Sequence, residues 1–185
     1  MDKIIPAILA EDASDLKDKI AQLPDEVKFV HIDVLEEDIW TDINIDFEVH
    51  LMVSRPEEIT GRWVNRGVKR IIFHQLNDTI SKLKSQVEIG LAVKLDTPIE
   101  EIFSLVPEVD FVHLMSIAEI GEQGHLFEPI IFDKINKVRE KFPAVVVSVD
   151  GGINITNYQA LKDSGVDRFI VGSEFKDLWE SLTRK

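Results

Sequence analysis

Eight short apolar, β-branched runs recur along the chain, separated by amphipathic, charged stretches. That alternation limits the possible folds more than any other feature. The expected strands are Lys3–Leu9, Lys28–Val34, Phe47–Val53, Arg70–Gln75, Ile89–Lys94, Phe111–Ser116, Val145–Asp150 and Arg168–Gly172. Helices are expected over Ala13–Leu23, Pro56–Arg66, Thr79–Val87, Pro98–Val106, Glu128–Phe142, Thr156–Ser164 and Phe175–Thr183. Gly67, Pro107, Pro143 and Gly165 punctuate several of their ends. Crossover helices between strands imply a parallel sheet. Eight near-continuous apolar strands suggest closure into a (β/α)8 TIM barrel, a single domain over residues 1–185. An open doubly wound sheet is the competing arrangement, but Ala10-Glu11-Asp12-Ala13 is nothing like the glycine-rich turn such sheets carry after strand one.

One connection breaks the pattern. Leu35 to Asp46 gives about 12 residues between strands two and three, with four acids (Glu36, Glu37, Asp38, Asp42) and no useful helical face. The helix there is expected to be absent or very short. The outward residues Val30, Ile32, Leu51 and Val53 would then lose their cover. Ile39, Trp40 and Ile43, or a second subunit, are expected to replace it.

The net charge of -13 argues against nucleic acid and anionic membranes as partners. There is no cysteine, which excludes disulfides and thiolate metal sites and suits a cytoplasmic location. The N-terminus lacks a signal-peptide layout, and no apolar run reaches membrane-span length.

Polar residues at the C-terminal ends of barrel strands are where chemistry is expected. His31 and Asp33 are two apart on strand two, between apolar Val30, Ile32 and Val34, so both point into the barrel. The same parity sends His50 and Met52 inward from strand three, and Asp150 ends strand seven. Two histidines and two carboxylates at one mouth suit a divalent ion such as Zn, Fe, Co or Mn. Without a cation, two buried carboxylates would cost several kcal/mol. Gly151-Gly152 and Gly172-Ser173 follow strands seven and eight, where this fold commonly binds phosphate. His74 and His113 are expected to serve as polar packing, though His74 could face the site, and His125 is expected to be exposed.

Together these motifs resemble the ribulose-phosphate 3-epimerase family over nearly the whole chain. Pro6-Ala7-Ile8-Leu9 resembles its opening Pro-Ser-Ile-Leu, and His31-Ile32-Asp33-Val34 its His-x-Asp-Val. Val49-His50-Leu51-Met52-Val53, Arg55-Pro56, Phe73-His74 and Leu95-Asp96-Thr97-Pro98 follow in order, then Val149-Asp150-Gly151-Gly152-Ile153 and Val171-Gly172-Ser173. The resemblance implies C3 epimerisation of ribulose 5-phosphate to xylulose 5-phosphate. It assigns His31, Asp33, His50 and Asp150 to the metal and Asp33 and Asp150 to acid/base work. It also makes Met52 and Met115 site-lining.

The departures concern the substrate cradle. Ala7 replaces the family's serine, Leu35-Glu36-Glu37-Asp38 replaces a Met-Asp-Gly loop, and the loop after strand six keeps Gly121 and Gly124 but adds Glu119 and Glu122. The expected protein is a metal-dependent sugar-phosphate epimerase, cytoplasmic and homo-oligomeric, binding a small phosphorylated sugar. The alternatives are a related barrel acting on another phosphorylated sugar and a non-catalytic descendant used for binding or assembly.

Overall fold

The computed structural model describes residues 3–77, 80, 82–119 and 121–183. Its strands are β1 (Ile4–Leu9), β2 (Phe29–Val34), β3 (Asp46–Leu51), β4 (Arg70–Phe73), β5 (Glu88–Val93), β6 (Phe111–Met115), β7 (Val146–Asp150) and β8 (Arg168–Val171). They pair in parallel, each with its sequence neighbours, and β8 returns to β1 to close a barrel. Closure satisfies every strand edge internally, which an open sheet cannot do.

Helices α1 (Ala13–Ala21), α2 (Glu57–Asn65), α3 (Ile131–Lys141), α4 (Tyr158–Asp163) and α5 (Phe175–Thr183) pack outside. The start of α1 follows from Asp12, whose carboxylate accepts from the backbone N–H groups of Ser14 and Asp15. The α1 face then buries Leu16 completely. The expected helix Pro98–Val106 is instead two 3-10 turns, Ile99–Ile102 and Val106–Glu108. Pro107, inside the second turn, has no N–H to donate and keeps an α-helix from continuing there. Within the expected helix Thr79–Val87, a 3-10 turn spans Lys82–Ser85. Thr79 and Ser81 lie outside the described residues, as does Ile120 in the loop after β6.

No helix joins β2 to β3. Trp40 occupies that gap, its ring 5.1 Å from Phe47 and 5.3 Å from Trp63. Ile43 and Ile45 pack on the same core, and Val30, Ile32 and Leu51 stay buried beneath. The acidic stretch is tied down from α2: Asp38 pairs with Arg62 and Arg66, each at 2.6 Å. The chain therefore supplies its own cover for this face. Among the described residues, no helix is long and apolar enough to cross a membrane.

Candidate metal centre

Strand parity carries the expected side chains inward, and barrel closure gathers them. His31 and Asp33 come from β2, His50 from β3 and Asp150 from β7. His31 Nε2 lies 3.2 Å from Asp33 Oδ1 and 4.0 Å from Asp150 Oδ2. His50 Nδ1 lies 3.7 Å from Asp33 Oδ1 and 3.9 Å from Asp150 Oδ2.

Three more residues join the cluster. His113, on β6, approaches Asp150 Oδ2 to 3.2 Å and stacks on His31 with ring centroids 5.5 Å apart. Its placement differs from simple polar packing: His31, His50, His113 and Asp150 each offer a donor atom, all within 4.8 Å of one another. His74 Nε2 stands 2.9 Å from His50 Nε2. Glu48, fully buried, lies 2.9 Å from His31 Nδ1 through Oε1 and accepts from Arg70 at 3.0 Å through Oε2. Parity could have found Glu48 and His113, since Glu48 is two residues before His50 and His113 two before Met115. His125 is half-buried rather than exposed.

Burial pushes the Asp150 carboxyl up to about 6, against the opposing pull of His31. Burial acts the same way on Asp33, but His31 and His50 outweigh it and hold that carboxyl well below the usual carboxylate range. At His31, burial disfavours the imidazolium, yet Asp33 and Glu48 prevail and raise its pKa well above the usual value. Burial, overcome by His31 and Arg70, leaves Glu48 at about 2. His74 and His113 are driven down to about 3, chiefly by burial, and stay neutral. The two carboxyls, one raised and one lowered, therefore differ in how readily each takes up a proton.

The donors also fit a divalent cation. Ligands bound at about 2.1 Å in a tetrahedral array stand roughly 3.4 Å apart, close to the 3.7 and 3.9 Å that separate His50 Nδ1 from the two aspartates. Those distances are too long for hydrogen bonds. Among the described residues, the buried His50 Nδ1 has no hydrogen-bond partner. An unsatisfied imidazole nitrogen facing two carboxylates is compatible with a metal ion, as is the wider group of His31, His50, His113 and Asp150.

Above the cluster opens a cavity of about 170 Å³. Asp33 and Asp150 reach it, while His31 and His50 lie fully buried below. Ala7, Met52 and Met115 line it. So do Gly121, Gly124, Gly151, Gly152, Gly172 and Ser173. Gly151 and Gly152 have φ of 112° and 63°. A Cβ on Gly152 would meet Phe127 N at 2.6 Å, so the loops after β6 and β7 touch only because no side chain stands there. Ser116, unforeseen from sequence, holds the end of β7: its Oγ lies 2.9 Å from Asp150 O and 2.6 Å from Gly151 O. Glu122 and Glu174 also line the cavity, and no Lys or Arg does among the described residues.

Comparison with known proteins covers almost the same span. The pattern that defines the "Ribulose-phosphate 3 epimerase family" matches residues 3–176. A ribulose-phosphate 3-epimerase of Schizosaccharomyces pombe is 27% identical over 198 residues, covering 92% of this chain and 85% of that one. One from Mycobacterium tuberculosis is 27% identical over 194 residues, covering 92% and 84%. Among solved structures, a tryptophan synthase alpha-subunit mutant from Pyrococcus furiosus superposes with a TM-score of 0.69 at 13% identity, over 97% of this chain and 91% of that one. The last likeness concerns the barrel fold alone.

Proposed function

Since the chain belongs to the ribulose-phosphate 3-epimerase family of isomerases, we propose that its barrel mouth epimerises a ketose phosphate at C3, interconverting D-ribulose 5-phosphate and D-xylulose 5-phosphate. The observation that carries the reading is the meeting of Asp33 and Asp150. They come from strands three places apart around the closed ring, yet both approach His31 Nε2, at 3.2 and 4.0 Å.

In this reading His31, Asp33, His50 and Asp150 hold one divalent ion (Zn, Fe, Co or Mn). When bound, the ion would supply Lewis-acid polarisation of the substrate carbonyl next to C3. One carboxylate takes the C3 proton from one face, leaving a planar enediolate. The other returns a proton to the opposite face, and the inverted centre is the product. Asp33, held ionised, suits the base. Asp150, pushed up to about 6, suits the acid, and the roles exchange in the reverse direction. Met52 and Met115 keep water from the intermediate, while Ala7 leaves room where the family has a hydroxyl. The phosphate would lie against backbone N–H groups around Gly151, Gly152, Gly172 and Ser173, with Gly121 and Gly124 in the covering loop. The proposed setting is cytoplasmic pentose phosphate metabolism, in a homo-oligomer with neither nucleic acid nor membrane as partner.

Glu122 and Glu174 beside the cavity favour one second reading, a different phosphorylated sugar with the same proton chemistry. Deuterium uptake at C3 of ribulose 5-phosphate in D2O separates the two, using metal-loaded and chelated protein. Metal-dependent uptake with formation of xylulose 5-phosphate supports the first reading. Uptake only with another ketose phosphate supports the second, and no uptake with any of them overturns both.

A further inference from the structure

Glu48 belongs to a charged row that runs from the barrel interior out to exposed Glu88. In the strand register His31 faces Glu48, Glu48 faces Arg70, and Arg70 faces Glu88. The side chains follow the register. Glu48 Oε1 lies 2.9 Å from His31 Nδ1, Arg70 donates to Glu48 Oε2 at 3.0 Å, and Arg70 Nε donates to Glu88 at 3.1 Å. Arg168 donates to the same Glu88 oxygen at 3.1 Å. The His31 and Glu48 side chains are 0% and 1% exposed, so neither can exchange its partner for water.

An imidazole has two nitrogens, and the partner of one decides what the other can do. A carboxylate only accepts, so the nitrogen facing Glu48 must carry the proton. That nitrogen is Nδ1. The Nε2 atom, 3.2 Å from Asp33 and 4.0 Å from Asp150, is the one turned toward the proposed carboxylate ligands, and a cation bound there would displace its proton.

We infer that Glu48 is a positioning residue for the metal centre: it holds the proton on His31 Nδ1, orients the ring and presents Nε2 to the cation, while Arg70 fixes Glu48 from behind. This inference rests on the metal reading of the cluster. Carboxylates behind histidine ligands usually contribute 10- to 100-fold to metal affinity.

Arg70 makes the substitution Glu48→Gln informative beyond simple loss of charge. Arg70 can only donate, so it claims the one amide oxygen of the new side chain. The amide NH2 then faces His31 Nδ1, which must give up its proton and accept. The proton moves to Nε2, the atom meant for the metal. Shape is nearly conserved while the proton position is reversed.

The experiment is zinc titration by calorimetry, joined to 15N NMR of the histidine rings, on the wild-type protein and on Glu48→Gln. In the zinc-loaded wild type, His31 Nδ1 should carry a proton and Nε2 should be metal-bound. Glu48→Gln should lose that Nδ1 proton and weaken zinc binding on the order of 10- to 100-fold. Glu88→Gln, in the exposed part of the same row, should leave both readouts near wild type. Equal zinc affinity and an unchanged Nδ1 proton in a folded Glu48→Gln protein overturn the inference alone. Should that variant not fold, an unprotonated His31 Nδ1 in the zinc-loaded wild type overturns it, and a protonated one upholds it. A wild type that binds no zinc overturns the metal reading and this inference with it.

Discussion

His50 Nδ1 stands 3.7 Å from Asp33 Oδ1, too far for a hydrogen bond and close to the spacing of two ligands on one ion. The imidazole cannot move nearer by turning over, because its other nitrogen is held 2.9 Å from His74 Nε2. A cation between the buried imidazole and the cavity-facing carboxylate would give both a partner that neither offers the other at this distance.

Metal binding should therefore stabilise the fold. At a free metal concentration 100 times Kd, binding to the native state alone adds about 2.7 kcal/mol. For a chain of this size that raises Tm by roughly 5–10 °C. Differential scanning calorimetry with zinc or cobalt, against a chelator, measures it. His50→Ala should abolish the shift, and an equal shift in that variant would mean the ion binds elsewhere.

Asp33→Asn and Asp150→Asn should each remove one half of the proton transfer. At saturating metal, C3 exchange in D2O should fall by about 10²- to 10⁴-fold in either variant. The contrast with a ligand-only role is clear in the titration. A variant that binds metal tightly but exchanges at the wild-type rate would strip that aspartate of its acid/base assignment.

Gly152→Ala tests the loop contact above the cluster. The new Cβ would meet Phe127 N at 2.6 Å, and the residue would also have to hold a φ of 63°. Backbone cannot yield as a flexible side chain does, so the loop after β6 must shift away from the cavity. The left-handed conformation adds a cost of about 1–2 kcal/mol. Steady-state kinetics should show KM for the sugar phosphate raised about tenfold, or more, with Tm a few degrees lower. An unchanged KM would place the substrate away from these glycines.

Trp40→Ala tests whether the irregular segment after β2 stands in for a helix. The ring packs on Phe47 and Trp63, and the Arg66 guanidinium lies 5.1 Å from its centroid. For a half-buried tryptophan the loss should be about 2–3 kcal/mol, at or just below the range for fully buried aromatics. Tm should drop by roughly 5–10 °C. A change under a degree would show that this face is protected by something other than Trp40.

The sequence alone determined the strand count, the parallel order and the side each residue faces. Period-two patterning is local, so Val30-His31-Ile32-Asp33-Val34 states which side chains go inward without any knowledge of the partners. It also determined that β2 and β3 would lack a helix, because about 12 residues rich in acids offer no apolar stripe. Helix type was less legible. The stretch after β5 has a helical apolar spacing, but it forms two short 3-10 turns. Only the closed barrel decided which inward residues meet. Strands β2, β3, β6 and β7 are separated by as much as 117 residues, between Asp33 and Asp150, and no local pattern records the register that sets Glu48 against His31 or the side-chain contact that brings His113 to Asp150. Register comes from strand stagger on closure, a property of the whole ring. For that reason the inward-facing candidate residues could be read from the chain, whereas the residues packed behind them required the tertiary structure.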